Sequence, residues 1–246
     1  MASIPRSILP LLQFYRSAPQ PCPYIAGQIE QKLFTQLPED AAIGKMANST
    51  LSRAGFRRSH SIVYRPFCPN CQACVPVRVP VQQFHPSRTQ RRLQKALAEL
   101  CWQAEAPIFS TEHFALFQSY EKARHSDSDM ANMQAHDFRN MLEEGSANTQ
   151  LFTLRDSNGQ LLGSIMTDVL DDGFSAVYSY FATTTPHDGL GTGLILSLIA
   201  EAQRRDLPYV YLGYWIKESV KMAYKGNFRP FERLGPHGWA PATDEK

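Results

Sequence analysis

The sequence lacks acidic residues over a long stretch near its start. Residues 41–98 contain ten Lys and Arg residues and no Asp or Glu, although the formal net charge of the 246-residue chain is only +2. Residues 99–172 then contain thirteen Asp and Glu residues against four Lys and Arg residues. A basic block interleaved with aromatic residues is typical of a surface that neutralises phosphates. Two oppositely charged blocks that pack against each other would give the same composition, so both interpretations stay open.

Long hydrophobic runs are also absent. The only apolar patch near the N-terminus, residues 8–12, is interrupted by Pro10. It is too short for the core of a signal peptide and far too short to span a bilayer. The sequence has no internal repeat and no low-complexity segment, and its 43% hydrophobic content is ordinary for a globular fold. We therefore expect a cytoplasmic protein that does not enter a membrane.

Cysteine is scarce and odd in number, and its positions are Cys22, Cys68, Cys71, Cys74 and Cys101. Three of the five lie within seven residues, where they could not easily bridge one another with relaxed geometry. Free thiols or metal ligands are therefore favoured over disulfides, which agrees with a reducing compartment. Cys22 together with the clustered three supplies four thiolates, enough for a zinc site or an iron–sulfur cluster. Reduced thiols without a metal are the open alternative.

The hydrophobic pattern of the first part of the chain predicts a small β-rich domain. Residues 28–37 show a helical period, whereas HSIVYRPF at 60–67 predicts a strand. The segment VPVRVPV at 75–81 has prolines at its second and sixth positions, which favours an edge strand or an extended segment over a central strand. Ser87 is placed to cap a helix over residues 89–100. We interpret residues 1–104 as one basic, cysteine-containing N-terminal domain.

The order of predicted elements after residue 104 indicates a second domain, residues 105–246. A helix over 112–125 and another polar helical segment precede three strands, which are joined by hairpin turns at 157–159 and 171–173. An amphipathic helix follows DGLGTGL, and a strand at 209–216 precedes a helix over 218–228. This order resembles the GCN5-related acyltransferase (GNAT) core, so the predicted fold class is α+β. In that core a glycine turn exposes helix N–H groups to phosphates of the acyl carrier, which would assign donor-end binding to Gly189, Gly191 and Gly193.

Three longer motifs carry a more specific resemblance. They are CPYIAGQ, GFRRSHSIVYRPFCPNCQACVPVRV and YVYLGYWIKESVKMAYKGNFRPFERL. Together they resemble the bacterial aspartate/glutamate leucyltransferases, which are relatives of the arginyl-tRNA protein transferases. The resemblance implies transfer of leucine from leucyl-tRNA to proteins that begin with Asp or Glu, which marks them for degradation, and implies no required cofactor. Arginyl-tRNA as donor, an acetyl-CoA-dependent transferase and a non-catalytic RNA-binding adaptor are the alternatives.

Candidate site residues follow from this chemistry. Tyr224 occupies the place of the tyrosine that protonates the leaving group in many acyltransferases of this shape, although a packing role is equally compatible with the sequence. Tyr180 and Asp168 lie on the predicted central strands, where they could orient the incoming amine. Contacts to tRNA phosphates or to the acidic N-terminus of the acceptor are expected from arginines, namely Arg57, Arg58, Arg65, Arg78, Arg88, Arg91 and Arg92. Which arginine reads the acceptor, and the oligomeric state, are left open.

Overall fold

The first part of the chain forms a small antiparallel sheet covered by one helix. The computed structural model describes residues 12–126, 128–145 and 147–242. The first elements are β1 (Tyr15–Arg16), β2 (Gln20–Pro21), β3 (Ile29–Glu30), β4 (Lys32–Gln36), α1 (Ala41–Arg53), β5 (Arg57–Ser59) and β6 (Ile62–Pro66). Strands pair in the order β1-β4-β6-β5, and β2 pairs separately with β3. Asp40 caps α1 by accepting from two main-chain N–H groups, which explains where this helix begins.

The rest of the chain builds a large mixed sheet. Its elements are β7 (Val75–Pro80), α2 (Arg88–Ala96), β8 (Cys101–Glu105), α3 (Thr111–Arg124), α4 (Ala135–Glu143), β9 (Thr149–Arg155), β10 (Leu161–Leu170), β11 (Gly173–Phe181), α5 (Leu190–Arg204), β12 (Tyr209–Trp215), β13 (Glu232–Gly235) and β14 (Gly238–Pro241). The eight strands lie in the order β14-β13-β7-β12-β11-β10-β9-β8. A 3₁₀ turn, Ala223–Asn227, follows β12.

The predicted α+β fold with a GNAT-like core is confirmed by the topology of this sheet. Strands β9, β10 and β11 form an antiparallel meander. Helix α5 then crosses over, and β12 returns parallel to β11, as a crossover helix requires. Parallel pairing extends only from Gly173 opposite Tyr209 to Ser175 opposite Tyr211. Beyond these residues the two strands diverge and leave an opening in the middle of the sheet.

Both faces of the large sheet are covered, which is why β10 is buried over almost its whole length. On one face α5 packs with Leu194 and Leu198 against Phe152 and Val210. On the other face α3 and α4 bury aromatic residues, including Phe117, against the sheet. None of the helices formed by the described residues is both long and apolar enough to cross a membrane.

Strand β7 is a central strand, so the predicted edge position of VPVRVPV was wrong. It lies between β12 and β13, but β13 pairs only with Val77 and Arg78. The prolines at 76 and 80 therefore lie beyond the residues paired with β13, which allows proline inside this sheet. Both β7 and β8 come from the chain before residue 105, yet they belong to the large sheet. The division of the chain at residue 104 stays a prediction.

Two predicted helices were also wrong. Residues 28–37 form β3 and β4, because β4 pairs with β1 on one side and with β6 on the other. Residues 218–228 contain only the short 3₁₀ turn Ala223–Asn227. This turn brings Tyr224 and Lys225 back towards β12, where they bear on the candidate site.

Candidate active site between two diverging strands

The opening between β11 and β12 is occupied by two basic side chains, Arg57 and Lys225. Main-chain groups that face each other beyond Ser175 and Tyr211 have no partner on the opposite strand and need other hydrogen bonds. Arg57 Nη2 donates to the Val177 carbonyl of β11 at 2.9 Å. Lys225 Nζ donates to the Tyr214 carbonyl of β12 at 2.8 Å. We call this opening, bounded by Arg57, Val177, Gly213, Tyr214 and Lys225, the strand gap.

Arg57 fits into the strand gap because residue 213 is glycine. Gly213 has a positive φ of 78°, and a Cβ at this position would lie 2.3 Å from Arg57 Nη1. Any other residue would therefore displace the guanidinium group. Arg57 Nη1 is buried and has no hydrogen-bond partner. In the described part of the chain Arg57 also forms no ion pair with a carboxylate. The gap thus contains a half-buried guanidinium group, one nitrogen of which is buried and has an unused donor.

The turn after β12 places two titratable groups at the strand gap. Burial lowers the pKa of Lys225 well below its ordinary value, and the charge on Arg57 lowers it further. Partial burial raises the pKa of the Tyr224 phenol, against an opposing effect of Arg57. Because the phenol stays protonated at neutral pH, it can donate a proton. Tyr224 is 42% exposed, so a substrate can approach it from solvent.

Asp168 and Arg58 are brought together, but as a buried ion pair. Arg58 Nε and Nη2 donate to the two carboxylate oxygens at 2.7 Å each. Asn48 and Thr149 donate to the same carboxylate at 3.0 and 2.9 Å. Both charged side chains are only 1% exposed. This placement favours a structural role, because the pair links β5 of the small sheet to β10 of the large sheet and leaves neither residue accessible to a substrate.

Tyr180 is fully buried beneath α3 rather than open to the strand gap. Its hydroxyl lies 2.7 Å from Nδ1 of His113, and Nε2 of His113 lies 3.2 Å from Glu105. Burial raises the pKa of the Tyr180 phenol. Glu105 and His113 could not be identified from the sequence, because nothing in the pattern links residues from β8, α3 and β11. The arrangement indicates that Tyr180 positions secondary structure, and its catalytic role stays a prediction.

The other predicted arginines differ sharply in environment. Arg78 is buried, pairs with Glu232 at 2.7 Å, and stacks 3.5 Å from the centre of the Tyr209 ring. It therefore holds β13 and β12 to β7 and has no surface for RNA. Four arginines are exposed and remain able to contact phosphates, namely Arg65, Arg88, Arg91 and Arg92.

The three glycines at the start of α5 have packing reasons to be glycine. A Cβ on Gly191 would lie 2.7 Å from Phe181, and one on Gly193 would lie 2.4 Å from Leu97 of α2. Gly189, which precedes the helix, has a positive φ of 77°. Helix α2 therefore covers part of the helix start that a phosphate would approach. An adjoining cleft is lined by Gly189, Arg124 and His187, and donor-end binding there stays a prediction.

None of the five cysteines, all of which lie within the described residues, forms a disulfide. Burial and the proximity of Cys22, Cys68 and Cys71 raise the pKa of Cys74 to about 12, so the four predicted ligands lie near one another. A thiol must lose its proton to bind a metal. Within residues 12–126, 128–145 and 147–242, no three His, Cys, Asp or Glu residues are arranged to hold a metal ion. Zinc or an iron–sulfur cluster at these cysteines stays a prediction.

Comparison with known families agrees with both parts of the chain. The family model described as arginine-tRNA-protein transferase, N terminus, matches residues 20–92. The model described as arginine-tRNA-protein transferase, C terminus, matches residues 112–235. The second match spans the strand gap from α3 to β13, and the first contains Arg57.

Full-length relatives give the same result. The chain is 47% identical to the aspartate/glutamate leucyltransferase of Gluconacetobacter diazotrophicus over 95% of this chain and 89% of that protein. It is 46% identical to that of Rhodospirillum rubrum over 95% of this chain and 94% of that protein. Among solved structures it is similar to L-PGS from Bacillus licheniformis, with 13% identity, a TM-score of 0.47, and coverage of 62% of this chain and 50% of that one. The chain therefore belongs to the aspartate/glutamate leucyltransferases, within the arginine-tRNA-protein transferase family.

Proposed function

We propose that this protein transfers leucine from leucyl-tRNA to the α-amine of proteins that begin with Asp or Glu. The observation that carries the proposal is the similarity over nearly the whole chain to proteins named aspartate/glutamate leucyltransferase, at 45–47% identity for the first three. The matched N- and C-terminal family models support a tRNA-dependent transferase. Proteins marked in this way are degraded, so the activity belongs to a cytoplasmic degradation pathway.

The reaction requires attack by a neutral amine on the ester carbonyl of leucyl-tRNA. A tetrahedral oxyanion forms, the carbon–oxygen bond to the terminal ribose breaks, and the ribose oxygen takes up a proton. The enzyme must therefore align the amine, supply donors to the oxyanion and supply that proton. The diverging strands support the second task, since β11 beyond Ser175 has main-chain groups that β12 does not pair. We place the reacting ester at the strand gap.

Tyr224 is our candidate for the proton donor. It is partly exposed beside the gap, and the raised pKa of its phenol keeps the proton available at neutral pH. A phenol hydrogen-bonded to the ribose oxygen would protonate this oxygen as the ester bond breaks. General acid catalysis of this kind typically increases the rate by about 10²–10⁴-fold. The four exposed arginines, Arg65, Arg88, Arg91 and Arg92, are our candidates for contacts to tRNA phosphates.

The test is direct transfer of label. Purified protein is incubated with radiolabelled leucyl-tRNA and a peptide that begins with Asp, and leucylated peptide is the expected product. Arginyl-tRNA in place of leucyl-tRNA tests the alternative donor, and acetyl-CoA tests a coenzyme-dependent transfer. A folded protein that binds charged and uncharged tRNA equally and forms no labelled peptide would instead be an RNA-binding adaptor, and the proposal would be wrong.

A further inference from the structure

The strand gap contains positive charge without a compensating negative charge. Arg57 and Lys225 both enter it, and across the described ranges neither of them lies within ion-pair distance of a carboxylate. Burial favours the neutral form of Lys225, which lowers its pKa, whereas a guanidinium group keeps its charge at any ordinary pH. A buried guanidinium nitrogen without a hydrogen-bond partner is costly to a folded protein. The gap is therefore prepared for an anionic group that the free protein does not supply.

Arg57 differs in this respect from the six other arginines that the sequence nominated. Arg58 is saturated by Asp168, and Arg78 is held by Glu232, Tyr211 and two aromatic rings. The remaining four are exposed, where phosphates of any conformation can reach them. Only Arg57 within this set combines a buried guanidinium nitrogen with an unused hydrogen-bond donor.

The surroundings of Arg57 limit what kind of anion can reach it. Arg57 and Gly213 line a narrow pocket at the base of the strand gap, whose other walls include Pro76, Val77 and Trp239. Arg57 Nη2 already donates to Val177, so Nη1 is the nitrogen left for a ligand. The pocket has room for about one water, which excludes a nucleic-acid backbone, and a carboxylate oxygen reaches Nη1 only when the side chains that line the pocket move apart. The geometry therefore favours a carboxylate over a phosphodiester.

We propose that Arg57 binds the side-chain carboxylate of the first residue of the acceptor protein and so selects Asp or Glu. The inference rests on the proposed leucyl transfer, because that function places an acidic N-terminal residue at the gap. With its carboxylate on Nη1, the α-amine of the same residue lies in the gap beside Tyr224, where the ester of leucyl-tRNA arrives. Selection of the acceptor and alignment of its amine are then one event.

Such a contact predicts strong discrimination against Asn and Gln. An amide matches a carboxylate in shape, but it brings no charge and leaves the guanidinium group of Arg57 uncompensated. The main-chain hydrogen bond from Nη2 to Val177 fixes the guanidinium group before the acceptor binds, so little orientation is needed on binding. Arg57 is thus a specificity-determining residue and not a general contact for tRNA.

The experiment compares peptides that begin with Asp or with Asn on wild-type protein and on Arg57→Gln. We expect kcat/KM for the Asp peptide to fall by about 100-fold in the variant, while the value for the Asn peptide changes by less than about threefold. The affinity for leucyl-tRNA should change by less than about threefold. Arg139→Gln is the matched control, because Arg139 is exposed on α4, and it should keep the wild-type ratio of Asp to Asn.

Two outcomes overturn the inference. One is an unchanged ratio of Asp to Asn in Arg57→Gln, and the other is weaker binding of leucyl-tRNA with that ratio kept, which would make Arg57 a tRNA contact. If Arg57→Gln does not fold, Arg57→Lys replaces it in the experiment. This variant keeps the positive charge but lacks the second guanidinium nitrogen, so the ratio of kcat/KM for the Asp peptide to that for the Asn peptide must still fall. If wild-type protein leucylates no peptide, the proposed function is wrong, and calorimetric binding of Asp and Asn peptides still tests Arg57 separately.

Discussion

Arg57 and Arg58 are neighbours on β5, yet they contact different strands of the large sheet. Successive side chains of a strand point to opposite faces, so one arginine reaches β11 and the other reaches β10. Arg58 forms an ion pair with the carboxylate of Asp168 on β10, whereas Arg57 donates only to a main-chain carbonyl on β11. The sequence nominates both arginines for the same task, because charge and spacing do not reveal which one has an acidic neighbour 110 residues away.

The role of Tyr224 can be separated from packing by removing its hydroxyl group. We expect Tyr224→Phe to lower the single-turnover rate of leucyl transfer by about 10²-fold or more, because the leaving ribose oxygen then lacks a proton donor. The free energy of unfolding should change by less than about 0.5 kcal/mol, since the residue is 42% exposed. Single-turnover rates at neutral pH measure the first effect, and urea denaturation measures the second.

Tyr15→Phe serves as the control for this variant, because Tyr15 is 52% exposed on β1 and is expected to leave both rate and stability unchanged. A Tyr224→Phe protein with the wild-type rate would exclude the proposed acid. A rate that falls only together with the free energy of unfolding would assign Tyr224 to packing.

Glu105 makes the stability of the protein depend on pH in the acidic range. Burial alone would raise its pKa, but hydrogen bonds from Gln103, Arg155, His113 and Thr153 lower the pKa to about 2. In the unfolded chain the ordinary value of 4.5 applies. A carboxyl group whose pKa is depressed by folding stabilises the protein above its unfolded pKa, and this contribution is lost as the pH falls towards 2.

We therefore expect Glu105→Gln to lose on the order of 2 kcal/mol of unfolding free energy at pH 7. The difference from wild type should shrink as the pH falls from 5 to 3. Urea denaturation at fixed pH values measures both effects. Glu99→Gln is the control, because the Glu99 side chain is 72% exposed and should give no such convergence. A constant difference across this pH range would contradict the assignment.

At the level of elements, the prediction succeeded where the chain pairs locally. Strands β9, β10 and β11 are joined by short turns, and α5 has a strong apolar stripe, so their types follow from pattern and turn residues alone. Strand β4 was predicted as a helix and β7 was predicted at an edge of a sheet, because the partners of both strands are remote in sequence. The strand gap could not be predicted for the same reason. Gly213 inside a predicted strand is nevertheless a recognisable signal that another group approaches the main chain closely.

The contact between α2 and α5 gives a test of why Gly193 is glycine. Gly193→Ala should destabilise the protein by about 1–3 kcal/mol, because its Cβ would lie 2.4 Å from Leu97. In a Leu97→Ala background the same change should cost much less, since the opposing methyl groups are gone. Denaturation of the four proteins of this double-mutant cycle measures the coupling. Additive effects would mean that packing against Leu97 does not explain the glycine.

At the scale of the whole molecule, the basic block both packs against acidic residues and faces solvent. Arg58 pairs with Asp168 of the acidic block, and Arg53 lies 3.9 Å from Asp171 and from Asp172. The packing interpretation therefore holds in part, and phosphate binding by the exposed cations stays a prediction. Six of the ten cations of residues 41–98 are exposed, and the densest group lies on α2, where Arg88, Arg91 and Arg92 are accompanied by Lys95.

These three arginines allow the binding of tRNA to be tested without disturbing the core. Neutralising them together, as Arg88→Gln, Arg91→Gln and Arg92→Gln, should weaken the binding of leucyl-tRNA. The slope of log affinity against log salt should become shallower by roughly one unit for each arginine that contacts a phosphate. Fluorescence anisotropy between 50 and 300 mM salt measures both quantities. The ratio of Asp to Asn acceptors should stay as in wild type, because Arg57 is unchanged.

The control neutralises three exposed cations outside the basic block, Lys122, Arg139 and Arg204. It removes the same net charge, so a general electrostatic effect would act on both triple variants alike. A loss of slope confined to the α2 variant places tRNA across α2, next to the start of α5 that α2 covers. Equal slopes in the two variants would mean that tRNA reaches the strand gap along another face, with Arg65 as the next cation to neutralise.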